Sequence, residues 1–174
     1  MVKQFRTIVI DPPWKELGGG KIKRGANKHY AVLSVPAIIK TVVESDPFQN
    51  IADDAHLYLW VTNSFLPSGL DVMNQLGFKY KTNVCWTKDR FGLGQYFRGN
   101  HELCLFGTRG KGYNVKTPSR SIASIIKAKR RKHSQKPEEF YNLVESRSYG
   151  PYVDMFARGA PRNNSWITWG HEAV

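Results

Sequence analysis

Phe5-Arg6-Thr7-Ile8-Val9-Ile10-Asp11-Pro12-Pro13-Trp14 is the stretch on which the reading of this chain turns. Residues 5–10 are mainly β-branched and apolar, the composition of a buried strand. Pro12 and Pro13 then forbid both helix and continued sheet pairing, because each lacks a backbone N–H and fixes φ near about −65°. Pro13 also pushes Pro12 out of the helical region. The strand therefore leaves its sheet along a stiff, extended segment. That segment carries one carboxylate, two carbonyls with no competing donor and one indole.

Outward from this segment, strand and helix patterns alternate. Ser34 can cap a helix with Pro36 in its first turn, running to about Glu44. Residues 56–62 read as a strand and 66–76 as a helix closed by Gly77. Residues 79–87 and 101–107 read as strands around a loop, Lys88 to Asn100. A basic segment follows, with an apolar stretch from Ile122 to Ile126. Pro137 opens a helix to about Ser146 with Phe140, Leu143 and Val144 on one face, and strands at 152–156 and 165–169 close the order. The pattern predicts a single α/β domain over 1–174, its sheet covered by helices on both faces. Ligands of such sheets bind at the carboxyl ends of the strands, which is where Asp11 falls.

Asp11, Pro12, Pro13 and Trp14 suit catalysis at an exocyclic amine of a nucleobase. Such an amine is a weak nucleophile, because its lone pair is delocalised into the ring. Two acceptors on its N–H groups, the Asp11 carboxylate and the Pro12 carbonyl, would localise that lone pair for attack on the sulfonium methyl of S-adenosyl-L-methionine. Trp14 offers a face on which a base can stack, an interaction of about 1–3 kcal/mol. The bland alternative is an Asp-Pro turn followed by a packing Trp.

With 174 residues, 41% hydrophobic and 13% aromatic, the chain has enough apolar mass for a sizeable core and is not a disordered segment. Its formal net charge of +12 points to a polyanionic partner. Cys85 and Cys104 both sit in apolar runs, so they read as small buried hydrophobes of a reducing compartment. No metal-ligand spacing occurs. Leu57 to Val61, the longest apolar run, is far too short to span a bilayer, and the amino terminus has no signal-peptide core. The expectation is a soluble cytoplasmic protein, of a bacterial or phage-infected cell, with no membrane partner.

Two basic regions flank the tetrapeptide's neighbourhood. Lys15, Lys21, Lys23, Arg24 and Lys28 are laced with glycines, and Gly20-Lys21-Ile22 fails the Walker A pattern at its last position. From Leu103 to Pro137 run Arg109, Lys111, Lys116, Arg120, Lys127, Lys129, Arg130, Arg131, Lys132 and Lys136 with no acid among them. Consecutive bases repel unless an anion neutralises them, so these segments are expected to grip a nucleic-acid backbone. A targeting signal or a solvated face is the alternative.

Lys136 also breaks a local rule. It immediately precedes a proline-started helix, where the macrodipole makes a cation unfavourable by about 0.3–1 kcal/mol. Such violations mark functional positions. A carboxylate bound there, such as that of S-adenosylmethionine, would satisfy both Lys136 and the helix N–H groups. Alternatively, Lys136 extends into solvent or pairs with Glu138 or Glu139.

Asp11-Pro12-Pro13-Trp14, the segment Tyr30 to Pro36, Trp86-Thr87-Lys88 with Gly94 to Glu102, His133-Ser134-Gln135-Lys136-Pro137, Phe156-Ala157-Arg158 and Trp166 to Glu172 together resemble the MT-A70 family of adenine-N6 methyltransferases across nearly the whole chain. The resemblance implies a Rossmann-like S-adenosylmethionine-dependent fold with permuted motif order, the tetrapeptide preceding most of the cofactor site. It implies that Asp11 binds the target amine and lies near the cofactor's amino group, that Trp14 flanks the base, and that Lys136 holds the cofactor carboxylate. Ile10 and Phe156 would line the cofactor, Phe156 beside its adenine, with Arg158 at the ribose. His171 and Glu172 match a closing segment that usually reads Gly-Asn-Glu or Gly-Asn-Gln, so His171 departs from the pattern. The compact form resembles bacterial and phage members.

The combined expectation is a site-specific adenine-N6 methyltransferase of nucleic acid, DNA ahead of RNA. Lys21, Lys23, Arg24, Lys28, Arg98, Lys129, Arg130 and Arg131 would hold the strand, while Trp14 and Tyr30 receive a base flipped from its stack. A homodimer would help so small a domain cover its substrate. The rivals are a non-catalytic nucleic-acid-binding subunit, a cytosine-N4 methyltransferase and a glutamine-N5 methyltransferase of proteins, in which Asn usually replaces the Asp.

Overall fold

Strand β1 (Phe5–Ile10) is buried toward its end on both faces, as its unbroken apolar run requires. The computed structural model describes residues 4–14, 33–92, 94, 96–111, 115–116, 119–131 and 135–170. In chain order after β1 come α1 (Val35–Val43), α2 (Asp46–Gln49), β2 (Ile51–Val61), a 3-10 turn (Asn63–Phe65) and α3 (Leu66–Gln75). They are followed by β3 (Lys79–Thr87), β4 (His101–Arg109), β5 (Ile125–Lys127), α4 (Glu138–Arg147), β6 (Tyr152–Met155) and β7 (Trp166–Trp169).

These strands form one sheet in the order β5-β3-β4-β2-β1-β6-β7. β1 pairs in parallel with β2 and β6, and β6 with β7; β4 runs antiparallel to both β2 and β3, and β3 is parallel to β5. β4 alone is reversed. Side-chain alternation then sorts the core into two layers. Ile8, Ile10, Leu57 and Leu59 face Ile38 and Val42 of α1 and Val72 and Met73 of α3. Val9, Tyr58, Trp60 and Cys104 face Phe140 and Val144 of α4. The expected helical cover on both faces is present, in a mixed α/β, Rossmann-like sheet.

Local chemistry sets the element ends. Ser34 caps α1, its Oγ accepting from Ala37 N at 3.4 Å with Pro36 in the first turn. Gly77, at φ +80°, closes α3, its N–H donating to Asn74 O at 2.9 Å. Three features escape sequence reading. The short α2 is capped by Ser45. β2 begins at Ile51 rather than 56, across the unpromising Asp53-Asp54, because Arg109 donates to Ile51 O at 2.9 Å and Ala52 O at 3.0 Å. β5, with three residues, is too short to show a period. Cys104 is fully buried, whereas Cys85 is half-buried.

Candidate functional site

Because β4 alone is antiparallel, the carboxyl ends of six strands and the amino end of β4 lie along one edge of the sheet. At β1 the connections change direction: the chain leaves β1 through α1 and α2 to β2 on one side, while β6 flanks it on the other. A crevice opens at such a switch point. Asp11 follows β1 there, Glu102 is the second residue of β4, Lys88 follows β3, Phe156 follows β6 and Lys136 precedes α4.

These side chains form one line of alternating charge. Lys136 Nζ is 2.9 Å from Asp11 Oδ2 and 3.1 Å from Glu102 Oε2, and Lys88 Nζ donates to Glu102 Oε1. The two ammonium groups also lie over indoles, Lys136 4.8 Å from the Trp60 ring and Lys88 4.8 Å from the Trp86 ring. Burial pushes the Asp11 carboxyl above the usual carboxylate range, and the Lys136 charge only partly reverses this. Burial likewise opposes the Glu102 charge, but Lys136 and Lys88 more than offset it and hold that carboxyl at about 2. Lys136 gains from both carboxylates and stays protonated despite its burial. A third acid stands behind this line. Asp154 on β6 is buried, accepts from Tyr141 Oη at 2.9 Å, and is pushed up to about 7, chiefly by burial.

The tetrapeptide is stiff and extended as expected, but its carbonyls are engaged. Pro12 O accepts from Trp14 N and Pro13 O from Leu33 N, each at 2.9 Å. A carbonyl has two lone pairs, so Pro12 retains one for a ligand. The expected open face of Trp14 is corrected. Its ring is 5% exposed, its Nε1 donates to Trp60 O at 3.0 Å, and Phe65 stacks on it at 5.2 Å between centroids. Neighbouring apolar surface was available to cover so large a ring, so Trp14 anchors the tetrapeptide to β2 in this structure. Ile10 is fully buried in the α1–α3 layer, which leaves only its main chain to meet a ligand.

Phe156 adopts φ +60°, a strained value for a bulky residue, beside the crevice. Its ring meets Trp169 edge-on at 6.0 Å, and a Cβ on Gly170 would lie 3.0 Å from its Cα. Strain of this kind is characteristic of ligand clamps. Arg158 is close enough to favour the Asp11 charge. Lys136 adopts neither expected alternative: it meets neither solvent nor the acids of its own helix, since Glu138 is paired with Arg131 and Arg162. Arg98, Lys129, Arg130 and Arg131 are exposed. Lys21, Lys23, Arg24, Lys28, Tyr30, His171 and Glu172 lie outside the described residues.

Sequence reasoning did not single out Glu102, Lys88 or Asp154 as site residues. The available signal was a carboxylate entering an apolar strand just ahead of a long acid-free basic run, a position that needs a buried cation to be tolerated. Two buried polar atoms at the end of β2, Trp60 Nε1 and Thr62 Oγ1, have no hydrogen-bond partner among the described residues.

Comparison with known proteins places this geometry in context. The family model described as MT-A70 matches residues 5–172. An N(6)-adenosine-methyltransferase MT-A70-like protein of Drosophila melanogaster is 28% identical over 182 residues, covering 97% of this chain and 27% of its own length. The human N(6)-adenosine-methyltransferase catalytic subunit METTL3 is 27% identical over 183 residues, covering 97% of this chain and 28% of its own. The chain thus spans about a quarter of the length of these curated relatives.

Proposed function

The chain belongs to the MT-A70 family, and on that premise we propose that it methylates N6 of adenine in nucleic acid, using S-adenosylmethionine. DNA is the first polymer to test and RNA the second, the relatives' names specifying adenosine. The observation that carries this reading is the Lys136 ammonium between the Asp11 and Glu102 carboxylates at the sheet's switch point. An amino-acid zwitterion inserted into that line finds a cation for its carboxylate and carboxylates for its ammonium.

The residues present fit the cofactor. The unpartnered Trp60 Nε1 and Thr62 Oγ1 are the kind of buried polar atoms that a ligand satisfies. Lys136 would hold the carboxylate, Asp11 and Glu102 the ammonium, and Phe156 and Arg158 the nucleoside; the family resemblance adds His171 and Glu172 at the ribose. When bound, S-adenosylmethionine supplies an electrophilic methyl group.

The chain supplies positioning, which can contribute up to about 7–11 kcal/mol, and charge. Asp11 would accept one N–H of the adenine amine and the free lone pair of Pro12 O the other, which would localise the lone pair on that nitrogen. Burial raises the basicity of the Asp11 carboxylate, which suits it to take the proton that the methylated nitrogen must lose. Trp14, clamped between Phe65 and Trp60, keeps both acceptors in place.

Incubating the protein with DNA or RNA of mixed sequence and methyl-labelled cofactor, then analysing the nucleosides by mass spectrometry, tests the proposal. Label is expected in N6-methylated adenine nucleoside. Label in cytosine, or cofactor binding by calorimetry with no labelled nucleoside, would overturn it.

A further inference from the structure

Between β3 and β4, the described residues 88–92, 94 and 96–100 form the narrow stem and tip of a hairpin. Lys88 N donates to Asn100 O and Gly92 N to Gly99 O, each at 2.6 Å. The two sides of the stem approach each other closely at glycines. A Cβ on Gly92 would lie 2.9 Å from Gly99 O, and one on Gly94 would collide with the Phe97 carbonyl oxygen. This tight closure thrusts the tip outward. Tyr96 is 92% exposed and Phe97 90%, with Phe91 63% exposed lower on the same hairpin. Arg98 lies 5.6 Å over the Phe91 ring, its Nε donating to Gly92 O at 3.3 Å. Three large aromatic side chains this exposed on one short segment mark an interaction surface.

The charge around the rings identifies the partner. Lys88, Arg90 and Arg98 share the hairpin, with Asp89 its lone acid. Asp89 Oδ1 accepts from Arg130 N at 3.0 Å, which binds the basic strip Lys129-Arg130-Arg131 to the hairpin's flank. An apolar protein partner would call for aliphatic neighbours, and the segment has one, Leu93, against Lys88, Arg90, Arg98 and four glycine or amide positions at 92, 94, 95 and 99. Flat rings between cations match unpaired nucleotides, whose bases stack while their phosphates are neutralised.

We propose that Tyr96 and Phe97 form a base-stacking platform for the nucleotides flanking the adenine at the catalytic crevice. The proposal rests on the nucleic-acid reading above and adds a second point of grip to it. The hairpin's root belongs to the site, since Lys88 pairs with Glu102, and six extended residues place the tip at most about 20 Å from that root. Stacking on the tip replaces part of what neighbouring bases lose when the target leaves its stack. It is tolerant of sequence, so it supplies affinity rather than readout.

The test is anisotropy of fluorescein-labelled single-stranded DNA and RNA 12-mers of mixed sequence, titrated with protein across a range of salt. The double variant Tyr96→Ala, Phe97→Ala is expected to bind about tenfold or more weakly at every salt concentration, with the slope of log affinity against log salt unchanged, since no phosphate contact is removed. Tyr96→Phe with Phe97→Tyr keeps both rings and is expected to keep the affinity, which separates stacking from damage to the hairpin. Unchanged affinity in the alanine variant, or loss in the ring-exchanged variant equal to that in the alanine one, overturns the platform. So does a shift from dimer to monomer in sedimentation, which would assign the tip to a second copy of the chain. If the parent protein binds neither strand, the nucleic-acid reading itself fails; binding by the parent with no effect of the alanine variant sinks the platform alone.

Discussion

The Lys136 ammonium stands 2.9 Å from the Asp11 carboxylate, joining the exit of β1 to the turn before α4. Asp11 is poorly placed for stability: its pKa is raised by burial, so its folded-state contribution fades as pH rises through that elevated value. A buried carboxyl with a raised pKa and a specific cation partner in a crevice has the character of a functional group. Asp11→Ala is therefore expected to abolish methyl transfer, by at least about 100-fold, while shifting the melting temperature by no more than about 5 °C and leaving nucleic-acid affinity nearly unchanged. Retained transfer in the folded variant would remove the catalytic assignment.

Glu102 behaves oppositely. Its carboxyl is held at about 2, against 4.5 ordinarily, with burial opposing the charge and Lys136 and Lys88 more than offsetting it. A depressed acid contributes stability that is present above its unfolded pKa and lost as pH falls through its folded one. The shift is worth about 3 kcal/mol. Glu102→Gln should lower unfolding free energy at pH 7 by roughly that amount, and the deficit should shrink between pH 4.5 and 2. Denaturant melts at pH 7 and pH 3 measure this, and a deficit independent of pH would show that packing rather than charge is responsible.

Much of this site was legible in the chain because its cause is local. Two successive prolines force the turn at Asp11, Ser34 and Gly77 end their helices by their own backbone chemistry, and Lys136 offends the dipole of the helix it precedes. What was not legible depends on pairing at a distance. Trp14 shows a free face in sequence and loses it only because Phe65 and Trp60 arrive from β2 and the turn after it. Glu102 becomes a site residue because β4 runs backwards through the sheet and delivers its first residues to the edge where the other strands end. No periodicity in residues 101–109 carries that direction.

His56 on β2 should govern stability at mildly acidic pH. Its Nδ1 is 2.7 Å from Ser148 Oγ, which also meets Tyr58 Oη at 2.8 Å. Burial, with Arg6 and Arg147 nearby, lowers its pKa to about 4. The depressed value means that the unfolded chain binds the proton more readily, so stability is full above about pH 6.5 and is lost as pH falls toward 4, by about 3 kcal/mol. His56→Gln, which can still hydrogen-bond Ser148, should be free of this loss. A difference from the parent that stays constant between pH 7 and 4 would show that His56 does not titrate as described.

Asp154 acts in nearly the same window with the reverse sign. Its carboxyl is raised from 3.8 to about 7, so the folded protein holds a proton that the unfolded chain has released. That contribution is full below about pH 3.8 and is lost as pH rises through 7, at about 1.4 kcal/mol per pH unit. Asp154→Asn keeps an acceptor for Tyr141 and removes the titration, so its stability relative to the parent should climb between pH 4 and 7 and then level off. Between pH 4 and 6.5 the loss at Asp154 offsets the gain at His56, so the two slopes mask each other in the parent protein. Each single substitution unmasks the other group: His56→Gln should make stability fall as pH rises, Asp154→Asn should make it rise, and the double variant should restore the parent's shallower profile. Chemical denaturation of all four proteins at half-unit pH steps measures this, and single variants that parallel the parent would refute both assignments at once.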